Sequence, residues 1–375
     1  MDSSLLTSPG FWNAAEPFAP GGFPGGIPDL PELRGHVLFE TSGSTGEPKW
    51  IALSKAALFA SAEAVNLHLE VSPRSCWGLA LPPRHVGGFG VAARAFAAGC
   101  GFREFGRSWD ARGFFSWLAE NEVTHTSLVP TQVHDLAAAG LRAPSTLRAV
   151  VVGGGRLDMD TGRAARRLGW PVLASYGMTE AASQIATQGL DALEDLYQPA
   201  PIPLLPIWRA ETSVEETLRI AGPALFSGVL ALVDGSWVYQ PRISEWHGTD
   251  DRMRLENGGL TPLGRADAKV KVLGELVDVE QIEREIAALA GAALATGGFV
   301  VVAVPDARAE HALVPVFDVM VDAAVIAEAM RAYDRQAPGF RRLRPAVVLA
   351  EFPRSPLGKP LRREIARRIA GPPGA

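Results

Sequence analysis

Thr41-Ser42-Gly43-Ser44-Thr45-Gly46-Glu47-Pro48-Lys49 is the stretch on which the reading of this chain turns. Small hydroxyl residues and glycines run unbroken from Thr41 to Gly46, and the stretch closes on a lysine. Val37, Leu38 and Phe39 precede it, and Ser54 opens an alanine-rich segment from Lys55 to His68, so the local order reads strand, loop, helix. Glycines let backbone N–H groups turn toward an anion, hydroxyls add donors and Lys49 adds a positive charge. A polyphosphate is the ligand this chemistry suits. The signature of a Walker A loop, Gly-x-x-x-x-Gly-Lys-Ser/Thr, is absent. The plainer alternative is a solvated turn rich in Ser and Gly, so the assignment depends on what accompanies it.

Outward from the loop, short apolar runs alternate with helical segments as far as residue 180. Strands are expected at His36–Thr41, Cys76–Leu81, Thr124–Val129, Ala149–Val152 and Val172–Ser175. Helices are expected at Phe89–Ala98, Asp110–Glu122, Thr131–Ala139 and Asp158–Leu168. This alternation predicts an α/β fold with a mostly parallel sheet, whose ligands would sit at the strand-end loops after Thr41 and Ser175. Between 185 and 263, short β segments joined by Gly and Asp turns predict a β-rich subdomain. The remainder mixes strands (Lys269–Val277, Phe299–Val304, Ala312–Val319, Ala346–Leu349) with helices (Val279–Ala290, Ala323–Arg335, Arg362–Ala370). The expected organisation is a Pro/Gly-rich arm with little regular structure over 1–35, a large α/β domain over 36–265 and a small α+β lid over 266–375.

Composition narrows the function. The chain has 375 residues, more than one ordinary domain, and 47% of them are hydrophobic, enough for a large core. A net charge of −5 argues against a nucleic-acid partner, which would favour a basic stripe. No apolar run reaches the roughly 20 residues of a membrane helix. The opening Met1-Asp2-Ser3-Ser4 lacks the basic region and hydrophobic core of a signal peptide, so a cytoplasmic protein is expected. Cys76 and Cys100 sit in apolar or small-residue settings and read as inert core residues rather than a disulfide or metal pair. The histidines show no ligand spacing.

Three further segments accompany the loop. They are Val172-Leu173-Ala174-Ser175-Tyr176-Gly177-Met178-Thr179-Glu180, the run Gly264-Arg265-Ala266-Asp267-Ala268-Lys269 to Gly274 followed by Glu280 and Glu283, and Pro353-Arg354-Ser355-Pro356-Leu357-Gly358-Lys359. In this order the four resemble the core motifs of the acyl-adenylate-forming (AMP-binding) superfamily, over roughly residues 36 to 366. The resemblance implies the adenylate-forming fold, with ATP and Mg²⁺ bound and coenzyme A as co-substrate. It implies nucleotide contacts at Thr41, Ser42, Gly43, Ser44, Thr45, Gly46 and Lys49, with Gly154 on the adenine wall. Tyr176, Gly177 and Met178 would lie along the adenine, Thr179 would reach the α-phosphate and Glu180 would hold the metal. One carboxylate suffices for Mg²⁺, which keeps several waters.

Trp246-His247-Gly248-Thr249-Asp250-Asp251 is similar to the segment whose aspartate binds the ribose. That role falls to Asp251, although Asp250 stands where a glycine is usual and remains a competitor. Arg265 would sit on the ribose or phosphate. Asp267 matches the hinge, and Lys359 the C-terminal catalytic lysine that reaches both the carboxylate and the α-phosphate. Each has a bland counterpart: core packing for Tyr176, an exposed helix start for Glu180, a surface turn for Asp267 and the exposed neighbour of a basic helix for Lys359.

For the acyl substrate, Leu81-Pro82-Pro83-Arg84-His85-Val86-Gly87-Gly88-Phe89 resembles the pocket-gating segment and points to His85. Ser127-Leu128-Val129-Pro130-Thr131-Gln132 and Ala182-Ser183-Gln184-Ile185 look most like the o-succinylbenzoate–CoA ligases of menaquinone biosynthesis, with Gly153, Ser183 and Gln184 as substrate contacts. Only 40 residues precede Thr41, which reads as an N-terminally shortened version of the fold. Another acid, a carrier-protein acceptor and a degenerate nucleotide-binding protein are the alternatives. A homodimer is an open option for assembly.

Overall fold

The computed structural model describes residues 3–42, 48–266, 269–273, 275–294, 298–306, 309–355 and 358–370. The chain falls into two compact units. The first comprises Met1–Ser213, Leu218–Thr249 and Leu255–Thr261, and the second Val214–Thr217, Asp250–Arg254 and Pro262–Ala375.

In the first unit, β1 (His36–Ser42) and β2 (Pro48–Ser54) pair antiparallel with Thr41 opposite Lys49. The central sheet contains β3 (Cys76–Leu79), β4 (Gly101–Glu104), β5 (His125–Leu128), β6 (Ala149–Val152), β7 (Val172–Met178) and β8 (Ser183–Thr187). Their spatial order is β4-β3-β5-β6-β7-β8. All neighbours are parallel except the last pair, where β8 returns antiparallel to β7. The apolar run of β6 is buried throughout, as expected of a strand covered on both faces. Helices α1 (Pro9–Asn13), α2 (Lys55–His68), α3 (Val86–Ala98), α4 (Ala111–Glu120), α5 (Pro130–Ala138) and α6 (Met159–Arg167) interleave with these strands. Ser54 caps α2 by accepting from Ala57 N–H at 3.1 Å, and Asp110 and Asp158 cap α4 and α6 in the same way.

Strands β9 (Ile202–Pro203), β10 (Arg209–Thr212), β11 (Thr217–Ala221), β12 (Gly228–Val233), β13 (Ser236–Pro241), β14 (His247–Glu256) and β15 (Gly259–Arg265) fill the β-rich region. They assemble as β1-β2-β12-β13 and as β10-β11-β14-β15-β9.

This arrangement corrects the expectation for the opening loop. β1 does not belong to the parallel sheet, and the loop is a hairpin connection whose return strand was not anticipated. Trp50, Ile51, Ala52 and Leu53 are all buried, and Trp50 pairs with Leu230 of β12. The partner lies some 180 residues along the chain, so no local pattern could announce the pairing.

The arm over 1–35 is also more than an irregular extension. A 3-10 turn at Ser3–Thr7 and α1 bury Leu6, Phe11 and Trp12. Trp12 stacks on Phe96 of α3, and Phe11 packs edge-on against Phe18. The buried Lys55 ammonium donates to the carbonyls of Phe11 and Ala14, both at 2.6 Å. Lys55→Met should leave the Ala14 carbonyl without its donor and the Phe11 carbonyl with only the Ala14 N–H at 3.3 Å, a cost of about 1–3 kcal/mol for a buried group left unsatisfied. Thermal denaturation should register a lowered midpoint, and an unchanged midpoint would contradict the anchoring role.

In the second unit β16 (Lys269–Val272) and β17 (Glu275–Asp278) form an antiparallel pair where one strand, Lys269–Val277, was expected. The chain turns at Leu273, whose φ is 53°. β18 (Phe299–Asp306), β19 (Glu310–Asp318) and β20 (Val347–Leu349) make a three-stranded sheet. Helices α7 (Val279–Ala290) and α8 (Ala323–Asp334) contribute Ile282, Ile286 and Tyr333 to a core with Val301, Leu313 and Phe317. Ile365 of α9 (Arg362–Ala370) packs with Val300, Val302, Val314 and Val316.

Candidate functional site

In the first unit the polar end of β7 supplies the most constrained backbone. Val172, Leu173 and Ala174 are buried, and burial then lessens through Tyr176 to Met178. A 3-10 turn at Thr179–Ala181 follows, and Ala182 (φ 49°) and Ser183 (φ 104°) reverse the chain into β8. A Cβ on Gly177 would lie 1.5 Å from the Ser183 carbonyl oxygen, so only glycine fits this bulged crossing. The Glu180 carbonyl accepts from Phe226 N–H at 2.8 Å, and that of Thr179 from Ala182 N–H at 3.2 Å. Thr179 and Glu180 therefore project from a turn fixed at both ends. Gly153 and Gly154 leave the end of β6. Gly154 has φ 75°, and a Cβ there would crowd Val129 at 3.3 Å.

Thr41 and Lys49 face each other across the β1–β2 hairpin, with Thr41 Oγ1 donating to the Lys49 carbonyl at 3.3 Å. Ser42 ends β1, whereas Gly43, Ser44, Thr45 and Gly46 lie outside the described residues. His85 stands at the N-cap of α3. Its Nε2 is buried and makes no hydrogen bond among the described residues. Burial, and then the charge of Arg84, hold the ring below the usual histidine range and therefore neutral at pH 7.

Arg94 is a residue the sequence reading missed. It lies on α3, 1% exposed, and no Asp or Glu pairs with it among the described residues. Nη1 donates to Ser127 Oγ of β5 at 3.2 Å, and Nη2 to Ser183 Oγ of β8 at 3.3 Å. Burial lowers its pKa to about 9, still high enough for a cation at neutral pH. Its sequence signal was a single charge inside Val86-Gly87-Gly88-Phe89-Gly90-Val91-Ala92-Ala93-Arg94-Ala95-Phe96, a stretch otherwise apolar or glycine. Gln184, next to Ser183, is buried, with Oε1 accepting from Thr187 and its carbonyl accepting from Trp208 Nε1 at 3.0 Å.

In the second unit Asp251, Arg265 and Lys359 come together. Arg265 Nη1 meets Asp251 Oδ1 at 3.0 Å, and its Nη2 lies 3.6 Å from Asp250 Oδ2. Asp251 makes the closer contact, and its side chain is 20% exposed against 62% for Asp250. Glu280 accepts from the Arg265 N–H at 3.2 Å. The Lys359 turn is closed by Ser355 N–H donating to the Lys359 carbonyl at 2.7 Å and Lys359 N–H donating to Ser355 Oγ at 3.1 Å. Arg354 braces it, with one arm on the Gly358 carbonyl and the other on Asp318.

The Lys359 ammonium sits below its ordinary range. Desolvation is the main cause, Asp251 and Glu280 oppose it and Arg265 adds to it. The residue keeps an exposed flank, so this is a cation crowded on one side and open to water on the other. Asp267 lies outside the described residues.

A family model described as AMP-binding enzyme matches residues 36–218. Over this segment the chain is similar to the AMP-binding enzymes. It is 32% identical over 253 residues to the 2-succinylbenzoate–CoA ligase of Escherichia coli K12, covering 66% of this chain and 51% of that protein. It is 29% identical over 345 residues to the 2-succinylbenzoate–CoA ligase of Bacillus cereus, covering 89% and 70%. An E. coli MenE variant solved with bound OSB-AMS superposes with a TM-score of 0.71 at 25% identity, covering 89% of this chain and 68% of that one. The fold is that of the adenylate-forming enzymes. The chain spans about half the length of the E. coli relative.

The family's metal suits the donors present. Among the described residues no group of three or more His, Cys, Asp or Glu is placed to cage an ion. Glu180 offers one hard carboxylate on a fixed turn, the donor set of an ion that takes its other ligands from water and phosphate. Also among the described residues, no helix is long and apolar enough to cross a membrane.

Proposed function

We propose that this protein is an ATP-dependent acid–CoA ligase acting on o-succinylbenzoate. In the first half-reaction a carboxylate oxygen of the acid attacks the α-phosphorus of ATP, the bond to the β-phosphate breaks and pyrophosphate leaves. In the second, the coenzyme A thiol loses its proton, its sulfur attacks the acyl carbon and AMP departs. Glu180 would hold Mg²⁺, and the ion would supply charge neutralisation at the phosphates. Thr41 to Gly46 and Lys49 hold the β- and γ-phosphates, with Gly154, Tyr176, Gly177 and Met178 along the adenine and Thr179 on the α-phosphate. Asp251 and Arg265 take the ribose. Lys359 brings a positive charge to the two anions as they meet. His85, Gly153, Ser183 and Gln184 line the acyl side. Asp267 is the proposed pivot of a lid beginning at residue 266.

The observation that carries the substrate assignment is Arg94. A buried guanidinium with no carboxylate partner among the described residues calls for an external one, and o-succinylbenzoate has a second carboxylate beyond the one activated. In this reading the enzyme is cytoplasmic, where ATP and coenzyme A are abundant. Neither nucleic acid nor bilayer is a partner, and a homodimer is the assembly left open.

Acid-dependent exchange of labelled pyrophosphate into ATP tests the proposal, run with o-succinylbenzoate beside benzoate, a fatty acid and an amino acid. Preference for one of the last three would remove the substrate claim. Exchange with none of the acids would remove the enzyme claim. Glu180→Gln should raise the Mg²⁺ concentration needed for half-maximal exchange and lower turnover, since an amide cannot match a carboxylate's hold on the ion. An unaltered magnesium titration would take Glu180 out of the metal site.

A further inference from the structure

Helix α7 opens on two carboxylates with different contacts. Asp278 is the N-cap and accepts from Gln281 N–H at 3.0 Å. Glu280, in the first turn, accepts instead from another element: its Oε2 takes the Arg265 N–H of β15 at 3.2 Å. The same oxygen crowds the residue before. A Cβ on Gly264, whose φ is 124°, would stand 3.2 Å from Glu280 Oε2, 3.4 Å from Arg284 Nη1 and 3.6 Å from Asp278 Oδ2. A glycine at this corner lets the end of β15 lie directly on the start of α7.

The cations nearest Glu280 are matched to other carboxylates. Arg362 Nη2 of α9 donates to Glu283 Oε2 at 2.9 Å. Arg284 Nη2 donates to the Leu263 carbonyl at 3.2 Å and lies 4.0 Å from Asp278 Oδ2, which Arg252 approaches at 3.8 Å. Arg265 turns its guanidinium to Asp251 and gives Glu280 only a neutral amide. Glu280 is half-buried, and burial raises its pKa. Arg362 and Arg284 oppose that rise, and Glu283 and Asp278 add to it. Asp251 and Glu280 are also the two carboxylates that oppose desolvation of the Lys359 ammonium. Of these two, Asp251 is paired with a guanidinium, whereas Glu280 holds a backbone N–H.

An acid in the first turn of a helix is ordinary, since it complements the helix dipole. That role requires neither a bond to β15 nor an influence on a lysine from a distant loop.

Building on the ligase reading above, we propose that Glu280 is a positioning residue for adenylation, which holds the Gly264–Arg265 corner against α7 and supplies the carboxylate that supports the Lys359 ammonium. One side chain then links the residue on the ribose to the residue that screens the two reacting anions.

Two variants separate these parts. Glu280→Gln keeps an oxygen to accept from Arg265 N–H and removes the charge, and Glu280→Ala removes both. The first readout is the pH profile of pyrophosphate exchange with o-succinylbenzoate. The second is the pH dependence of Lys359 acetylation by acetic anhydride, read by mass spectrometry, which needs no turnover. A neighbouring carboxylate favours the ammonium, so its loss releases the proton at a lower pH. In Glu280→Gln the alkaline limb of exchange and the labelling curve should both move to lower pH, while KM for ATP holds. Glu280→Ala should show the same shift. Its kcat/KM for ATP should also fall by about tenfold as the corner carrying Arg265 loosens, the scale of one lost charge-assisted hydrogen bond. If Glu280→Ala does not fold, the isosteric Glu280→Gln carries both readouts.

A labelling curve unmoved in Glu280→Gln overturns this proposal and leaves the ligase reading standing. So does a loss of rate that is uniform across pH and accompanied by a lowered thermal midpoint, which would make Glu280 a residue of helix stability alone. A wild type that exchanges pyrophosphate with none of the acids overturns the ligase reading, and with it any part for Glu280 in adenylation.

Discussion

Lys359→Ala is expected to lower acid-dependent pyrophosphate exchange by about a thousandfold or more, the scale at which loss of a positioned charge at a developing anion is felt. Attack of one anion on another must be screened, and in the proposed reaction Lys359 supplies a point charge for it. Its turn is latched by Ser355 and braced by Arg354 on Asp318, so the ammonium is presented from a fixed base. Thioester formation from pre-made acyl-adenylate should largely survive, because no second anion has to be brought in at that step. Equal loss of both half-reactions would refute the assignment.

The pH dependence follows in sign. Burial holds the lysine below its ordinary 10.5, so its proton is lost at a lower pH than from a free lysine. Exchange should therefore decline on the alkaline side before pH 10.5. The alanine variant's small residual rate should lack that limb.

Arg94→Met should separate function from stability. Removing one member of a buried charge pair costs about 2–5 kcal/mol, so kcat/KM for o-succinylbenzoate should drop by about 30- to 5,000-fold. Among the described residues, however, no carboxylate pairs with this charge. Replacing it with an apolar chain of similar length should leave the thermal midpoint unchanged or raise it, as replacement of buried ionic groups often does. An analogue of the acid lacking the second carboxylate should be activated as well as before. A variant that keeps its preference for the diacid would place the recognition elsewhere. One that merely unfolds would make Arg94 a structural residue.

Several parts of this molecule were legible in its sequence, and each was local. The capped helix from Lys55 to His68 was readable because Ser54 and the run of alanines act within a few residues of each other. The buried strand Ala149–Val152 announced itself by an unbroken apolar run. The family resemblance rested on short runs such as Tyr176–Glu180, whose residues are consecutive in the chain. Gly177 shows why such a signal is strong. Its position tolerates no Cβ, so the sequence records the backbone crossing directly.

What only the tertiary structure decided were pairings between distant segments. β2 finds β12, about 180 residues on, and this turns the presumed strand–loop–helix unit into a hairpin of a separate sheet. The arm over 1–35 packs because Lys55 reaches back to the carbonyls of Phe11 and Ala14, partners that no periodicity identifies. Arg94 is the sharpest case. In the sequence it is one charge on a helix of alanines and glycines. Its meaning depends on Ser127, Ser183, Trp77 and Asn66, which arrive from four other elements, and on the absence of a carboxylate among them. Propensity and motif are written along the chain, whereas whether a buried charge is matched is a property of the packed interior, where the cost of leaving it unmatched is set.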